Sequence, residues 1–408
     1  MTGRWRPGRG LALFAALVFG ACVVIDLAVF PLAPRFPDEQ RFISEAIAFA
    51  QSGQFRIGED RAWEMPLTGL VYGVLYAATG SEPALVAAAR CLQALMLVVM
   101  AWHAADLAQR LFAPRAAGTL AFAGVLVYPM FVAFQTLLLS ETLFMTLLTA
   151  AMRWLYVWAE EPARYSRLAA YAALMAAATY AKPSLTWLPL VLPLLFARRP
   201  SHSWREAARI VAVAATVYCA ALSPWWIRNA LILGEPVWFT TGSASNLYLG
   251  NNRANTTAGV DWNSDVEQPF TDETEKLPEV RRDRRYHARA VEYIVAEPGR
   301  FVHDAGRKLV RFWNVFPNYE LFRQGPYRFV VAASYGPALL LALCAVWLYR
   351  REWRRLLPIY ALFAYFTLVH TVTIASLRYR LPLEVFLVVF AAGALARLAQ
   401  RRPGVSGR

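Results

Sequence analysis

LALFAALVFGACVVIDLAVFPLAPRFPDEQRF, residues 11–42, decides the fold. Twenty residues from Leu11 to Phe30 contain a single charge, Asp26, and the run is broken only at Pro31 and Pro34. At ~1.5 Å per helical residue, about twenty apolar residues cross the ~30 Å of a bilayer's hydrocarbon. Arg4, Arg6 and Arg9 precede the run, which gives it the form of a secretory leader, and Phe19-Gly20-Ala21-Cys22 approaches a lipoprotein cleavage box. The apolar stretch continues past Cys22 through Val23, Val24 and Ile25, so it reads as an uncleaved anchor spanning 11–33.

The same pattern recurs along the chain. Further apolar spans are expected at 84–108, 117–134, 138–158, 168–181, 184–197, 207–227, 329–349, 355–375 and 381–398, about ten in all. Of the 408 residues, 58% are apolar and only 17% charged. Soluble domains run near 25% charged. With a mean hydropathy of +0.35, this excludes a cytosolic enzyme, a secreted disulfide scaffold and a disordered regulator. The fold class is an all-α polytopic membrane protein. Cys22, Cys91, Cys219 and Cys344 lie within apolar runs, where they read as small core residues.

The net charge of +14 points to membrane lipids and not to nucleic acid, because the arginines cluster between spans. With the N-terminus inside, inward segments carry Arg4, Arg6, Arg9, then Arg110 and Arg115, then Arg164 and Arg167. They continue with Arg198, Arg199, Arg205 and Arg209, then Arg350, Arg351, Arg354 and Arg355, then Arg397, Arg401, Arg402 and Arg408. Every inward turn is basic, as the positive-inside rule requires. Both termini are therefore expected in the cytoplasm. The chain divides into an N-terminal membrane region, 1–228, with a first outer loop at 35–65; a large outer loop, 229–328; and a C-terminal membrane region, 329–408. The inward loops are too short for a domain, and no Walker loop or Gly-x-Gly-x-x-Gly turn is present. Chemistry is therefore expected on the outer face.

In the first outer loop, Pro37 suits a helix's first turn. Phe42, Ile43, Ala46, Ile47, Phe49 and Ala50 then form an apolar face that ends before Gly53. This reads as an amphipathic helix on the membrane surface. Asp38 and Glu39 fit two readings: acids favoured at a helix N-terminus, or a general base beside a lipid-linked substrate. Glu141, in Ser140-Glu141, opens the span at 138–158 and is either an interfacial helix acid or a second site carboxylate. Lys182 either snorkels to the headgroups or contacts a phosphate. Arg228, followed by Asn229, closes the span at 207–227. Arg378-Tyr379-Arg380 places two arginines in a short outer turn, against the positive-inside trend, and a guanidinium grips phosphate bidentately. Asp26 and His370 lie near outer span ends, whereas His103 and Asp106 lie on the inner side and read as structural. The five histidines have no metal-ligand spacing.

With these residues in order, the chain resembles the polyprenyl-phosphate-sugar glycosyltransferases of GT-C fold. The nearest resemblance is to bacterial relatives of protein O-mannosyltransferases and of the lipid A aminoarabinose transferase. Asp38-Glu39 resembles the acidic pair of the first outer loop, and Ser140-Glu141 the second acidic position. Pro224-Trp225 through Arg228-Asn229, with GSASNLYLGNN at 242–252, resembles a proline-tryptophan-arginine-asparagine element and its following loop. Residues 290–308 are similar to the amphipathic segment before the next span, and Arg378-Tyr379-Arg380 to the last outer turn. Two departures stand out. Trp63-Glu64-Met65-Pro66-Leu67 has no cation where the family often has His or Lys, and Lys182 replaces an arginine.

The resemblance implies a sugar transferred from a polyprenyl monophosphate to an acceptor hydroxyl, with inversion. Asp38 would be the base, with Glu39 and Glu141 orienting. Lys182, Arg228, Arg378 and Arg380 would bind the donor phosphate, while Asn229, Asn246, Tyr248 and Tyr379 would contact acceptor or sugar. The implied partners are the lipid-linked donor, a lipid, glycan or protein acceptor, and membrane lipids. The implied site is the periplasmic face of a bacterial inner membrane. No cofactor is identified, and a divalent metal remains an alternative unsupported by ligand spacing. A non-catalytic carrier or flippase of lipid-linked sugars, and an O-antigen-type ligase, are the alternative functions.

Overall fold

The computed structural model describes residues 5–112, 114–197, 203–317 and 325–400. Arg4, Arg198, Arg199, Arg401, Arg402 and Arg408 of the inward basic set lie outside the described residues. The described chain is helical. Among its residues, seven helices are long and apolar enough to cross a membrane, or eight if one bent pair counts as a single span.

The helices in chain order are α1 (Arg9–Ala28), α2 (Pro37–Ser52), α3 (Pro66–Thr79), α4 (Glu82–Leu111), α5 (Arg115–Leu126), α6 (Pro129–Gln135), α7 (Glu141–Glu160) and α8 (Tyr165–Ala181). Two short turns follow, α9 (Leu188–Val191) and α10 (Leu194–Ala197), and then α11 (Trp204–Leu233). The segment beyond it folds as α12 (Ser243–Gly250), α13 (Gln268–Thr274), α14 (Glu279–Ala296) and α15 (Pro298–Trp313). The last three are α16 (Tyr327–Leu348), α17 (Trp353–Val372) and α18 (Leu377–Gln400).

The count differs from about ten for local reasons. The span at 117–134 is bent by 49° between α5 and α6, where Pro129 begins the second piece. The helix at 168–181 forms, as α8, with 17 residues. The expected span at 184–197 is not continuous. Pro183, Pro189 and Pro193 divide it into a 3-10 turn and two four-residue helices, since a proline inside a helix removes a hydrogen bond and clashes with the preceding turn.

Helices α7 and α18 form the centre: 83% of the apolar window of each is buried, against 17% for α1 and 28% for α11 and α16. The outer ring therefore presents apolar side chains, such as Leu13, Val24, Leu231 and Leu340, away from the protein. At the end of the bundle bearing Trp5, the buried Asp106 carboxylate accepts hydrogen bonds from the Trp5 backbone N–H (3.0 Å), Arg110 (2.9 Å) and Arg153 (2.6 Å). This is the structural role expected of Asp106.

Helix α2 forms as read, from Pro37 to a left-handed Gly53 cap at φ 68°. Its apolar face, however, does not rest on a membrane surface. Phe42, Ile43 and Ala46 are buried in the protein core, because α3 packs against α2. The glycines Gly69 and Gly73, four residues apart, permit that approach. A Cβ on Gly73 would stand 2.6 Å from the Phe49 ring and 3.1 Å from the Ala46 carbonyl oxygen.

Residues 243–313 build a small helical layer. Its core is the aromatic group Tyr248, Phe270 and Tyr286, with ring centroids 5.1–6.0 Å apart. Ile374, between α17 and α18, is buried in the same cluster. Lys308, from α15, donates to Asn251 Oδ1 (3.0 Å) and to the Val372 carbonyl (3.4 Å). The layer is thereby attached to the turn that opens α18.

Candidate active site

Four separate stretches of chain bring charge to one place. Asp38 sits in the first turn of α2, and Glu141 is the first residue of α7. Lys182 is the residue at which α8 stops, and Arg378 is the second residue of α18. The Arg378 guanidinium holds Glu141 Oε1 through Nε (2.9 Å) and Nη2 (2.8 Å), and its Nη1 reaches Asp38 Oδ2. Lys182 Nζ donates to the same Glu141 oxygen at 2.9 Å. Glu141 Oε2 accepts no hydrogen bond. The Glu141 side chain is 0% exposed, whereas Asp38 is 28%, Arg378 18% and Lys182 14% exposed. Glu141 is thus the floor of the cluster, and Asp38 with the two cations forms its open side. A buried carboxylate so placed offsets its desolvation through the cations it gathers.

Aromatic rings complete the walls. Lys182 lies 4.9 Å over the Tyr379 ring, and Arg378 5.3 Å from the Phe36 ring centroid. Behind Tyr379 the His370 ring stacks at 4.5 Å, with Phe312 on its other side at 5.7 Å. The stack joins α15, α17 and α18 and keeps Tyr379 from turning. Arg41, one helical turn beyond Asp38, stands 3.6 Å from it.

The other expected residues lie elsewhere. Glu39 is fully buried and turned away from the cluster. Its Oε1 accepts from the Arg35 and Phe36 backbone N–H groups (2.9 and 2.8 Å), and its Oε2 from Leu138 N–H (2.9 Å). This closes the capping box of α2 and fastens it to the segment before α7. The expected orienting role becomes that of a clasp, which sets Asp38 opposite Glu141. Arg90, unnoticed in the sequence, assists from a fully buried position by donating to the carbonyls of Asp26, Pro31, Ala33 and Thr136.

Arg380, expected beside Arg378 at a phosphate, points the opposite way. Two residues along a helix differ by about 200°, and Arg380 is buried against Glu384 (2.8 Å) and the carbonyls of Phe312 and Asn314. Glu384 also accepts from the Tyr128 hydroxyl at 2.6 Å. Arg228 donates to the carbonyls of Arg61 (2.6 Å) and Phe55 (2.9 Å), so it braces the 53–65 loop from behind. Asn229 donates to Val237 O (3.0 Å), and Asn246 bonds the Gly242 carbonyl at 3.4 Å. Tyr248 is the hub of the aromatic layer, its hydroxyl accepting from Glu267 N–H. Of the residues expected at the site, Asp38, Glu141, Lys182, Arg378 and Tyr379 come together.

One acid beside the cluster was passed over in the sequence. Glu64 immediately precedes Met65, the N-cap of α3. Burial pushes its carboxyl up to about 7, against the opposing charges of Arg41, Lys182 and Arg378 and with that of Asp38. Its loop is held by Glu279, which accepts from the backbone N–H groups of Arg61 (2.7 Å) and Ala62 (2.8 Å) and from the Thr241 hydroxyl (2.5 Å). The sequence signal was the missing cation before Pro66. Among the described residues no group of three His, Cys, Asp or Glu side chains is placed to hold a metal ion.

The fold is the GT-C fold, and the expected relation to GT-C glycosyltransferases holds at that level. The chain superposes on the oligosaccharyltransferase of Archaeoglobus fulgidus, solved tethered to an acceptor peptide containing the NVT sequon, with a TM-score of 0.56. That match has 10% identity over 95% of this chain and 50% of the other, so the chain spans half the length of that enzyme. ArnT from Cupriavidus metallidurans, bound to undecaprenyl phosphate, matches with a TM-score of 0.44 and 16% identity over 96% of this chain and 79% of ArnT. The S. cerevisiae protein O-mannosyltransferase Pmt1-Pmt2 complex, bound to its sugar donor, gives 0.42 and 13% identity over 62% of this chain and 38% of that one. Residues 75–243 match a family model described as a domain of unknown function, DUF8201. No curated protein sequence matches the chain.

Proposed function

We propose that this protein is an integral-membrane glycosyltransferase that moves a sugar from a polyprenyl monophosphate carrier to an acceptor hydroxyl. The reading rests on one observation: Arg378 joins Asp38 to Glu141, with Lys182 on the same carboxylate, at one end of a bundle whose exterior is apolar. A lipid-linked phosphate arriving along that exterior meets two cations at headgroup depth. The acceptor oxygen attacks the anomeric carbon, the bond from that carbon to the phosphate oxygen breaks, and the hydroxyl proton passes to Asp38. One displacement inverts the anomeric centre and needs no protein nucleophile. The phosphate gains charge as it leaves, and Arg378 and Lys182 stabilise it there. Glu141 holds both cations in place, and Tyr379 offers a ring face beside the sugar.

The arginine distribution supports an outer-face site in a bacterial inner membrane, with both termini cytoplasmic. The acceptor is a lipid, glycan or protein of the cell envelope. Purified protein incubated with radiolabelled polyprenyl-phosphate sugars should yield free polyprenyl phosphate only when an envelope acceptor is present. Mass spectrometry of envelope glycolipids and glycoproteins, with and without the gene, should identify the product that disappears. Unaltered envelope glycans together with no donor turnover would overturn the reading.

A further inference from the structure

We propose that α15 is an interfacial helix: its outward apolar face lies in the lipid of the leaflet on the side of the charged cluster, at the boundary between headgroups and acyl chains. The inference rests on the spanning helices alone and is independent of the transfer reaction.

Helix α15 is amphipathic with its faces reversed. Arg300, Asp304, Lys308 and Arg311 recur at three- and four-residue intervals and form one stripe, which lies against the protein. Arg300 donates to the Arg253 carbonyl (3.1 Å), and Asp304 accepts from the Tyr293 hydroxyl (3.2 Å). Lys308 donates to Asn251 Oδ1, and Arg311 Nε to the Ala375 carbonyl (3.1 Å). The opposite stripe, Val302, Gly306 and Leu309, turns outward with Val310 beside it. Val302 is 67% exposed and Val310 71%. A helix that commits its charges to the protein and presents valine and leucine outward is not built to face water. On α2 the apolar face is covered by α3, whereas among the described residues nothing covers this one.

What covers it follows from depth. Helix α15 is tied to the ends of two spanning helices. Lys308 donates to the carbonyl of Val372, the last residue of α17 (3.4 Å), and Arg380, in the first turn of α18, donates to the carbonyls of Phe312 and Asn314 (3.0 and 2.6 Å). The end of a spanning helix marks the edge of the hydrocarbon, so a face turned away from the protein at that level meets lipid. The apolar exterior of the bundle begins at the same end, where α16 opens with the exposed Tyr327, Phe329 and Val330. Helix α14 records the boundary along its length. Its exposed stripe runs Arg281, Arg284, Ala288, Val291, Val295, passing from guanidinium to valine toward the junction with α15, and Val295 is 73% exposed. Such a gradient fits a helix that descends from water to lipid, with its arginines left among water and headgroups. Because α15 carries Phe312, the ring behind His370 and Tyr379, the lipid contact also sets the height of the layer of residues 243–313 over the charged cluster.

The test reads one side chain at a time in the full chain, reconstituted in vesicles of phosphatidylethanolamine and phosphatidylglycerol. A genetically encoded dansyl amino acid replaces Val302, Val310 or Glu273, the last a water-facing control on α13 whose side chain is 72% exposed. All three positions are exposed, so the replacements should leave the fold intact, which circular dichroism and the melting temperature check. Lipids brominated in the acyl chain should quench the probe at Val302 and Val310 and spare it at Glu273. Iodide on both sides of the membrane should do the reverse. Iodide quenching at Val302 and Val310 equal to that at Glu273 puts the face in water and overturns the proposal. Quenching by neither agent puts the face under protein, a second copy or another chain, and overturns it equally.

Discussion

Asp38 and Glu39 are adjacent in sequence and have opposite fates, and the difference can be measured. Asp38→Asn keeps shape but cannot accept a proton, so turnover should fall about 10²- to 10⁴-fold with thermal stability unchanged. Glu39→Gln replaces one acceptor oxygen with a donor against backbone N–H groups, so it should cost about 1–3 kcal/mol and lower the melting temperature. The arginine pair divides similarly. Arg378→Lys should weaken donor binding roughly ten- to hundredfold through loss of the planar fork, measured by titration of folded protein. Arg380→Ala should instead leave Glu384 buried and unpaired, costing about 3–5 kcal/mol of stability. Glu64 contributes a pH effect whose sign follows from its raised proton affinity. Its folded carboxyl titrates near 7 and its ordinary value is 4.5, so the folded state holds the extra proton between those values. Stability should therefore fall as pH rises through that window. Comparing melting temperatures of wild type and Glu64→Gln at about pH 5 and about pH 8 reads this directly, with the smaller drop expected in the variant.

Among the elements, α2 and the helical layer of residues 243–313 depend on close backbone approaches. A Cβ on Gly250 would lie 2.0 Å from the Thr373 carbonyl oxygen and 2.8 Å from its carbon. Neither atom can rotate away as a side chain would. Gly250→Ala should push α12 off the end of α17, costing about 1–3 kcal/mol and disturbing the turn that carries Ile374 and Tyr379. Faster proteolysis between residues 243 and 313, with reduced turnover, should report it. Gly299→Ala is the control, because nothing lies within 4 Å of the added carbon, and it should be neutral or slightly stabilising.

The whole molecule makes a prediction about sides. Arg253 in the layer of residues 243–313 and Arg164 between α7 and α8 are each more than 60% exposed. With the proposed orientation, a membrane-impermeant maleimide should label Arg253→Cys in intact spheroplasts and spare Arg164→Cys until the membrane is broken. The native cysteines sit in apolar helices and should remain silent. The reverse labelling would place the charged cluster in the cytoplasm and remove the outer-leaflet donor.

Much of this protein was already determined by sequence. Apolar length alone specified the spanning helices at 84–108, 207–227 and 329–349, since a bilayer admits few other backbones. Pro37 and Gly53 bounded α2, because fixed φ at one end and a left-handed cap at the other are local properties. The acids and cations of the site were visible as charges at span ends, where their desolvation is costly unless they have a function or a partner. Direction and partnership were not legible. Whether Arg378 or Arg380 faces the cluster depends on helix rotation, and whether Glu39 or Asp38 remains open depends on a backbone N–H at Leu138, ninety-nine residues away. Glu64 drew notice only as an absent cation, because the charges that act on it come from α2, the end of α8 and α18. The proline-broken stretch at 184–197 is apolar enough to pass as a span, and α3 covers a face of α2 that its apolar pattern assigns to lipid. Apolar periodicity states that a surface must be covered, and only the tertiary structure decides by what.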